Sequence, residues 1–143
     1  MSLGTVVSVQ QTIKFTTMKN LVSVIIPNYN GAATIGKCLR AALASRYDDF
    51  EVIVVDDASQ DYSIAVIEQY PCKLVRLARN GGAAMARNMG AQHARGTLLF
   101  FTDADCLLRS DTLALAVGTL ASKGPGAIIG GTYTVVPLSL IHI

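Results

Sequence analysis

The chain alternates short apolar runs with segments of helical periodicity, and this alternation constrains the fold more than any other feature. The apolar runs predict strands at Leu21–Ile26, which Pro27 ends, and at Val52–Val55, Leu74–Leu77 and Leu98–Phe101. Strands that alternate with helices form βαβ units, whose strands lie parallel. The sequence therefore predicts an α/β fold with a mainly parallel sheet flanked by helices.

Helical periodicity and capping residues between and beyond these runs predict the helices. They are predicted from Asn30 to Leu43, from Ser59 to about Tyr70, from Ala83 to Ala94, and from Ser110 and Asp111 to about Lys123. A fifth strand is predicted at Ala127–Val136. Residues 1–20 have no clear period. Three interpretations of them stay open: a leader, an edge strand, or a stretch partly of artificial origin. Residues 21–143 are predicted to form one domain.

Composition narrows the class of protein. Hydrophobic residues make up 51% of the 143 residues and charged residues 15%, which suits a packed core rather than disorder. The net charge of +2 gives no reason to expect a nucleic-acid partner. No apolar run approaches the roughly 20 residues of a spanning helix. We expect a cytoplasmic chain, with membrane association left open for a full-length form. We also expect buried free thiols at Cys38, Cys72 and Cys106, whose spacing fits no metal site.

Polar residues follow the predicted strands directly, where ligands bind in open α/β sheets. Asp103 and Asp105 follow the fourth strand at alternate positions and can present carboxylate oxygens to one ion. Oxygen ligands are those that Mg²⁺ and Mn²⁺ prefer. An isolated Asp-x-Asp pair is more often part of a turn or a helix cap. Because polar motifs also follow the other three strands, a common site is favoured over separate coincidences.

The other three motifs suit a nucleotide. After the second strand, Asp57 can accept hydrogen bonds from a base or ribose, or it caps a helix. After the first strand, Tyr29 can lie against a base, or its segment is a simple turn. After the third strand, Gly81 and Gly82 let backbone amides approach an anion and Arg87 can pair with a phosphate. The alternative for this last motif is a glycine turn with a surface arginine.

Four sequence runs occur in a diagnostic order: Val22–Asn30, Val54–Ser59, Gly82–Gly90 and Phe101–Asp105. Together they resemble the family-2 glycosyltransferases, which have the Rossmann-like GT-A fold. The motifs are specific jointly rather than singly. The resemblance implies that residues 21–143 form the part of a GT-A domain that binds the nucleotide-sugar donor, incomplete at the C-terminus.

The resemblance also implies roles for single residues in binding the nucleoside. Pro27, Asn28 and Tyr29 match the segment that flanks the nucleobase. Asp57 matches the acid that hydrogen-bonds the base. A uridine diphosphate sugar is the favoured donor, because uridine is the commonest nucleoside in the family. The class of acceptor stays open: it is a saccharide, a lipid or a protein.

A second group of implied roles concerns the metal and the diphosphate. Asp105 matches the direct ligand of Mn²⁺ or Mg²⁺, and Asp103 matches a second ligand nearer the ribose. Ala104 between them matches a nucleotide contact, and Arg87 lies in the helix whose start faces the donor. The implied reaction is glycosyl transfer with inversion, in which a carboxylate base removes the proton of the acceptor hydroxyl.

The sequence departs from the family pattern where that base is expected. No Asp or Glu follows Asp111. We therefore expect the 143 residues to be inactive alone and to self-associate as a homo-oligomer through apolar surface that later elements would cover. A nucleotide-binding or assembly module without turnover stays open as the alternative.

Three other classes of α/β protein fit less well. A nicotinamide-dependent dehydrogenase should carry Gly-x-Gly-x-x-Gly after its first strand, where this chain has the run from Pro27 to Ala32. A phospho-accepting receiver domain should carry an acidic pair there, and this chain has Asn28 and Asn30. A sugar nucleotidyltransferase should carry a basic glycine-rich loop at the same place.

Overall fold

Strands and helices alternate through the part of the chain that the structure, a computed structural model, describes: residues 20–131. The strands are β1 (Val22–Asn28), β2 (Phe50–Asp56), β3 (Lys73–Arg76) and β4 (Leu98–Phe101). The helices are α1 (Ile35–Leu43), α2 (Ser63–Ile67), α3 (Ala83–His93) and α4 (Thr112–Ala121). Among the helices of residues 20–131, none has the length and apolar content needed to cross a membrane.

The strands form one sheet in the order β3-β2-β1-β4, and every pair of neighbours is parallel. The predicted α/β fold with a parallel sheet is therefore confirmed. The chain builds outward from β1 to β3 and then crosses to the other side of β1 to form β4. This reversal places a topological switch point between β1 and β4. In open α/β sheets the ligand crevice lies at such a point, beyond the carboxyl ends of the strands.

The central strands β1 and β2 are covered on both faces, which explains their continuous apolar runs. Successive side chains of a strand point to opposite faces. One cluster contains Val24, Ile26, Val52 and Val54 with residues of α1, α2 and α4. The other contains Ile53 and Val55 with Ala86 of α3. The two layers of helices hold the sheet rigid, so its strand ends are fixed positions for side chains.

Strand β1 continues through Pro27, contrary to the prediction that this proline ends it. The reason lies in the length of β4, because Phe101, its last residue, pairs with Ile25. The backbone of Ile25 faces β4, since its carbonyl accepts a hydrogen bond from the amide of Thr102 at 3.2 Å. Pro27, two residues further, faces the same side beyond the end of β4. Its missing N–H therefore costs no ladder hydrogen bond.

Two predicted helix caps are wrong. Asn30 adopts a φ of 50°, and its side-chain oxygen accepts a hydrogen bond from the amide of Gln60, so α1 begins only at Ile35. Ser59 turns its hydroxyl toward Asp56 instead of capping a helix. As a result α2 is shorter than predicted, from Ser63 to Ile67.

The other boundaries differ by a few residues or fall outside the described chain. Helix α3 ends at His93, and α4 runs from Thr112 to Ala121. Of the predicted fifth strand, residues 127–131 are not in a strand, and residues 132–136 lie outside the described residues. Most of the segment at residues 1–20 also lies outside them. All three cysteines are free thiols, as predicted, but only Cys38 is buried; the prediction of burial is wrong for Cys72 and Cys106, which are partly exposed.

Helix α3 approaches the sheet most closely at Gly90. A Cβ atom at this position would lie 2.3 Å from Cγ2 of Ile25 and 3.2 Å from Cγ2 of Val55. We expect Gly90→Ala to lower the free energy of unfolding by about 1–3 kcal/mol, because the added methyl group overpacks the core. Equilibrium unfolding in urea measures the change.

The matched control is Gly118→Ala in α4, where a Cβ atom would meet no heavy atom within 4 Å. This variant should gain about 0.5–1 kcal/mol from the better helix propensity of alanine. If both variants gained stability, the close packing of α3 against β1 and β2 would be contradicted.

Candidate functional site

The carboxyl ends of β1 and β2 are tied together by a buried hydrogen-bond network. The side-chain amide of Asn28 donates to Oδ1 of Asp56 at 2.9 Å. The hydroxyl of Ser59 donates to the same oxygen at 2.6 Å, and the backbone amide of Ser59 donates to Oδ2 at 3.0 Å. Asn28 and Asp56 are 1% and 2% exposed. The sequence motif included Asp56 without a separate role, and the structure identifies it as the residue that positions Asn28.

This network fixes the orientation of the Asn28 side chain. Because Nδ2 faces Asp56, Oδ1 faces the opposite way, and it is buried with no hydrogen-bond donor among the described residues. A Cβ atom on Gly31 would lie 2.3 Å from this oxygen and 3.7 Å from Cβ of Ala104. The free acceptor of Asn28 therefore lies beside the turn that carries Ala104. A buried polar atom without a partner is costly, so it points to a ligand or water at this place.

Asp57 supports the glycine turn that follows β3. Its two carboxylate oxygens accept hydrogen bonds from the amides of Gly81 at 2.7 Å and Gly82 at 2.9 Å. Gly82 has a φ of 91°, which favours glycine. The expectation that these amides would face an anion is met by a carboxylate of the chain itself. The predicted contact of Asp57 with a base stays a prediction, because the residue is 3% exposed and holds the turn.

Arg87 of α3 reaches across to the turn after β4. Its Nη2 lies 2.8 Å from Oδ1 of Asp103, in an ion pair whose side chains are 38% and 47% exposed. Exposed pairs of this kind contribute little to stability. The structure thus brings together two of the predicted site residues in a contact that a competing phosphate or cation can break.

The turn after β4 gathers three candidate ligands for a metal ion. Asp103, Asp105 and Cys106 each offer one ligand atom, and these atoms all lie within 4.8 Å of one another. The amide of Cys106 donates to the carbonyl of Asp103 at 3.1 Å, which folds the turn. Two carboxylate oxygens at this separation fit Mn²⁺ or Mg²⁺. Sequence analysis missed Cys106, because it compared cysteines only with one another. Its place directly after the Asp-x-Asp pair was the available signal.

Cys38 of α1 supports the same turn from beneath. Its Sγ donates to the backbone carbonyl of Asp103 at 3.4 Å. Burial raises the pKa of the Cys38 thiol to about 12, and the neighbouring acidic groups of Cys106, Asp105 and Asp103 add to the rise. Cys38 therefore stays a neutral thiol that packs against the turn.

Pro27 and Tyr29 lie on either side of Asn28, at the carboxyl end of β1. The side chain of Tyr29 is 53% exposed, directly after the buried Asn28. Pro27 is half-buried within β1. The predicted residues are thus divided among three places: the end of β1, the glycine turn held by Asp57, and the turn after β4 with Arg87 against it. Gly31 lies between the first and third places, because a Cβ atom on it would approach both Asn28 and Ala104.

The parallel sheet and the polar strand-end site define an α/β protein with a candidate ligand site at its switch point, and comparison with known proteins makes the class specific. The family model for glycosyl transferase family 2 matches residues 23–137. The chain therefore belongs to glycosyltransferase family 2. Among curated relatives, glycosyltransferase AglE of Haloferax volcanii is 36% identical over 117 residues, which are 77% of this chain and 38% of AglE.

Solved structures confirm the GT-A fold. Mannosyltransferase PcManGT from Pyrobaculum calidifontis, in complex with GDP-Man and Mn²⁺, is 37% identical with a TM-score of 0.69; the match covers 73% of this chain and 33% of that one. S. aureus TarS 1-349 in complex with UDP-GlcNAc is 26% identical with a TM-score of 0.68, and the match covers 78% and 37%. The chain thus spans well under half the length of these proteins.

The hydrogen bonds of Asp57 lead to a prediction about stability. We expect Asp57→Asn to lower the free energy of unfolding by about 1–3 kcal/mol in the absence of nucleotide and metal, because its amide group cannot accept from both glycine amides. Urea unfolding at pH 7 measures the change.

Glu68→Gln is the matched control, since Glu68 is exposed at the end of α2. Its unfolding free energy should change by less than about 0.5 kcal/mol. Equal stability of the Asp57 variant and this control would show that the carboxylate does not hold the glycine turn.

Proposed function

We propose that this chain forms the donor site of an inverting, metal-dependent glycosyltransferase, and that it binds a nucleotide-diphosphate sugar at the switch point between β1 and β4. The observation that carries the proposal is the gathering of Asp103 and Asp105 at the end of β4, within the turn that Asn28 of β1 adjoins. An α/β sheet of this topology binds its ligand at this place.

The carboxylates of Asp105 and Asp103 are proposed to hold Mn²⁺ or Mg²⁺, with Asp105 as the direct ligand. Asp105 is exposed, so its oxygens are accessible to an ion that enters with the diphosphate. When bound, the ion offsets the negative charge that develops on the departing diphosphate. The role of the protein is to keep both carboxylates on one short turn directly after β4.

The nucleoside is proposed to lie over the end of β1. The free Oδ1 of Asn28 can accept a hydrogen bond from a ribose hydroxyl or a base N–H, and the exposed ring of Tyr29 can lie against the base. Pro27 stiffens this segment. Ala104 supplies a small side chain at the closest approach. Asp57 contributes through the glycine turn that it holds, and a direct contact with the base would require the turn to move.

Arg87 is proposed to bind the diphosphate. In the structure it pairs with Asp103 through one guanidinium nitrogen. A cation on Asp103 would compete for that carboxylate and leave the guanidinium free for phosphate oxygens, which Arg binds in a forked geometry. The same pair therefore neutralises Asp103 before the donor arrives.

The relatives support a nucleotide-sugar donor and leave its base open. PcManGT is described in complex with GDP-Man and Mn²⁺, and TarS in complex with UDP-GlcNAc. We favour a UDP-sugar and place the catalytic base and most of the acceptor site outside these 143 residues, because no acid follows Asp111. The acceptor is a saccharide, lipid or protein. On this proposal the 143 residues bind donor without efficient transfer, and their exposed apolar side chains favour a homo-oligomer.

The second candidate is a nucleotide-binding or assembly module without turnover. The same lack of an acid after Asp111 favours it. The two candidates share the donor site and differ in chemistry. Release of UDP from UDP-GlcNAc by a longer chain of the natural protein would support the enzyme, and donor binding with no release would support the module.

Calorimetric titration of UDP and GDP, in Mn²⁺ and then with a chelator, tests the donor site. We expect at least one nucleotide to bind in Mn²⁺, and we expect the chelator to weaken its binding about ten-fold or more. Asp105→Asn should weaken binding in Mn²⁺ by a similar factor, because it removes the direct ligand.

Glu68→Gln, which removes an exposed acid from the end of α2, should bind like the unchanged chain. Equal affinity with and without metal would contradict the metal role of the Asp pair. If neither UDP nor GDP bound in Mn²⁺, the donor site itself would be contradicted.

A further inference from the structure

We infer that Cys106 is a third protein ligand of the cation at Asp103 and Asp105, and that its sulfur gives the site a high affinity for thiophilic divalent ions. This inference rests on the proposed function, in which the Asp pair holds a divalent cation. It goes beyond that function, because an oxygen-only site would discriminate against such ions. Thiolate ligands select softer metals, whereas carboxylates alone suit Mg²⁺ and Mn²⁺.

The distances among the three side chains fit a common ion. Two ligand atoms of a tetrahedral ion stand roughly 3.3–3.8 Å apart when the metal–oxygen and metal–sulfur distances take their usual values. Sγ of Cys106 lies 3.7 Å from Oδ1 of Asp105, which is already within that range. All three ligand atoms lie within 4.8 Å of one another. Small side-chain rotations are enough to bring them around one ion.

The backbone of the turn sets this arrangement. The amide of Cys106 donates to the carbonyl of Asp103, and this bond returns the chain so that residues 103 and 106 lie close together. Asp105 is exposed, which provides access for the ion. Arg87 occupies only Oδ1 of Asp103. The second carboxylate oxygen of Asp103 has no such contact with Arg87.

A second observation points to a ligand at the same turn. Oδ1 of Asn28 is buried, it has no donor among residues 20–131, and it lies against Gly31, where an added Cβ atom would also approach Cβ of Ala104 in the middle of the turn. The opposite side of Asn28 is held by Asp56, so this oxygen cannot turn away. A donor that satisfies this acceptor, from water or from substrate, would lie near the turn.

The other thiols are unsuited to the same role. Cys38 is fully buried and its thiol contacts the backbone carbonyl of Asp103. Cys72 lies just before β3, at the opposite end of the sheet, where it contacts the carbonyl of Ile67. When Cys106 ligates, a metal–sulfur bond forms and the thiol proton is released to solvent.

Titration with Co²⁺ alone tests the inference, because a cobalt–thiolate bond adds a near-ultraviolet charge-transfer absorption that oxygen ligands do not give. We expect this absorption in the unchanged chain and in Cys72→Ser, and we expect its loss in Cys106→Ser. Competition with Cd²⁺ provides a second readout. Cys106→Ser should weaken Cd²⁺ about ten-fold or more and Mn²⁺ by a smaller factor.

Each other outcome contradicts the inference in a distinct way. Visible cobalt absorption without charge transfer would show a metal held by oxygen alone, which leaves the proposed function intact. Charge transfer that survives in Cys106→Ser and disappears in Cys38→Ala would assign the sulfur to the buried thiol. If Co²⁺ did not bind while Mn²⁺ supported nucleotide binding, the inference would fail alone. If neither ion bound, the metal role in the proposed function would fail with it.

Discussion

The hydrogen bond from Asn28 to the carboxylate of Asp56 is the interaction on which the arrangement of the site depends. These two residues are paired in the register of β1 and β2, so the sheet brings them together before any side chain acts. The two carboxylate oxygens of Asp56 then accept hydrogen bonds from Asn28 and Ser59. Because a buried carboxylate is costly unless it is hydrogen-bonded, this geometry has few alternatives. This network joins the start of the loop after β1 to the start of the loop after β2, and the hydrogen bond from Gln60 to Asn30 joins them further along.

Asp56 and Asp57 are neighbours in sequence and serve opposite sides of the site. The carboxylate of Asp56 is bonded toward β1, and that of Asp57 toward the glycine turn after β3. Both are buried, and both have their oxygens engaged by donors of the protein. Asp105 differs from them in being exposed beside a second carboxylate. The contrast separates acids that build the site from acids that are available to a ligand.

Much of the fold could be predicted from the sequence, because strands buried on both faces read as apolar runs. The exact helix starts and the local turn conformations were harder to predict. Asn and Ser are residues that often cap helices. In this structure the side chains of Asn30 and Ser59 instead form hydrogen bonds with Gln60 and Asp56. Pro27 is compatible with β1 only because β4 is short. The sequence around Pro27 does not reveal the length of β4. The pairing of Arg87 with Asp103 also required the crossover that places α3 beside the end of β4.

The candidate site shows the same division between local and long-range information. Asp103 and Asp105 are recognisable because the motif is contiguous, and the parallel topology turns four strand-end motifs into neighbours. The Asp-x-Asp motif alone does not show which other side chains lie close to its two carboxylates. Cys106 completes a three-atom cluster through a turn closed by its own amide, and Cys38 of α1 supports that turn through its contact with the carbonyl of Asp103. The chemistry of the site therefore depends on contacts between residues far apart in the sequence, such as Cys38 and Asp103, which the crossover from β3 to β4 brings together.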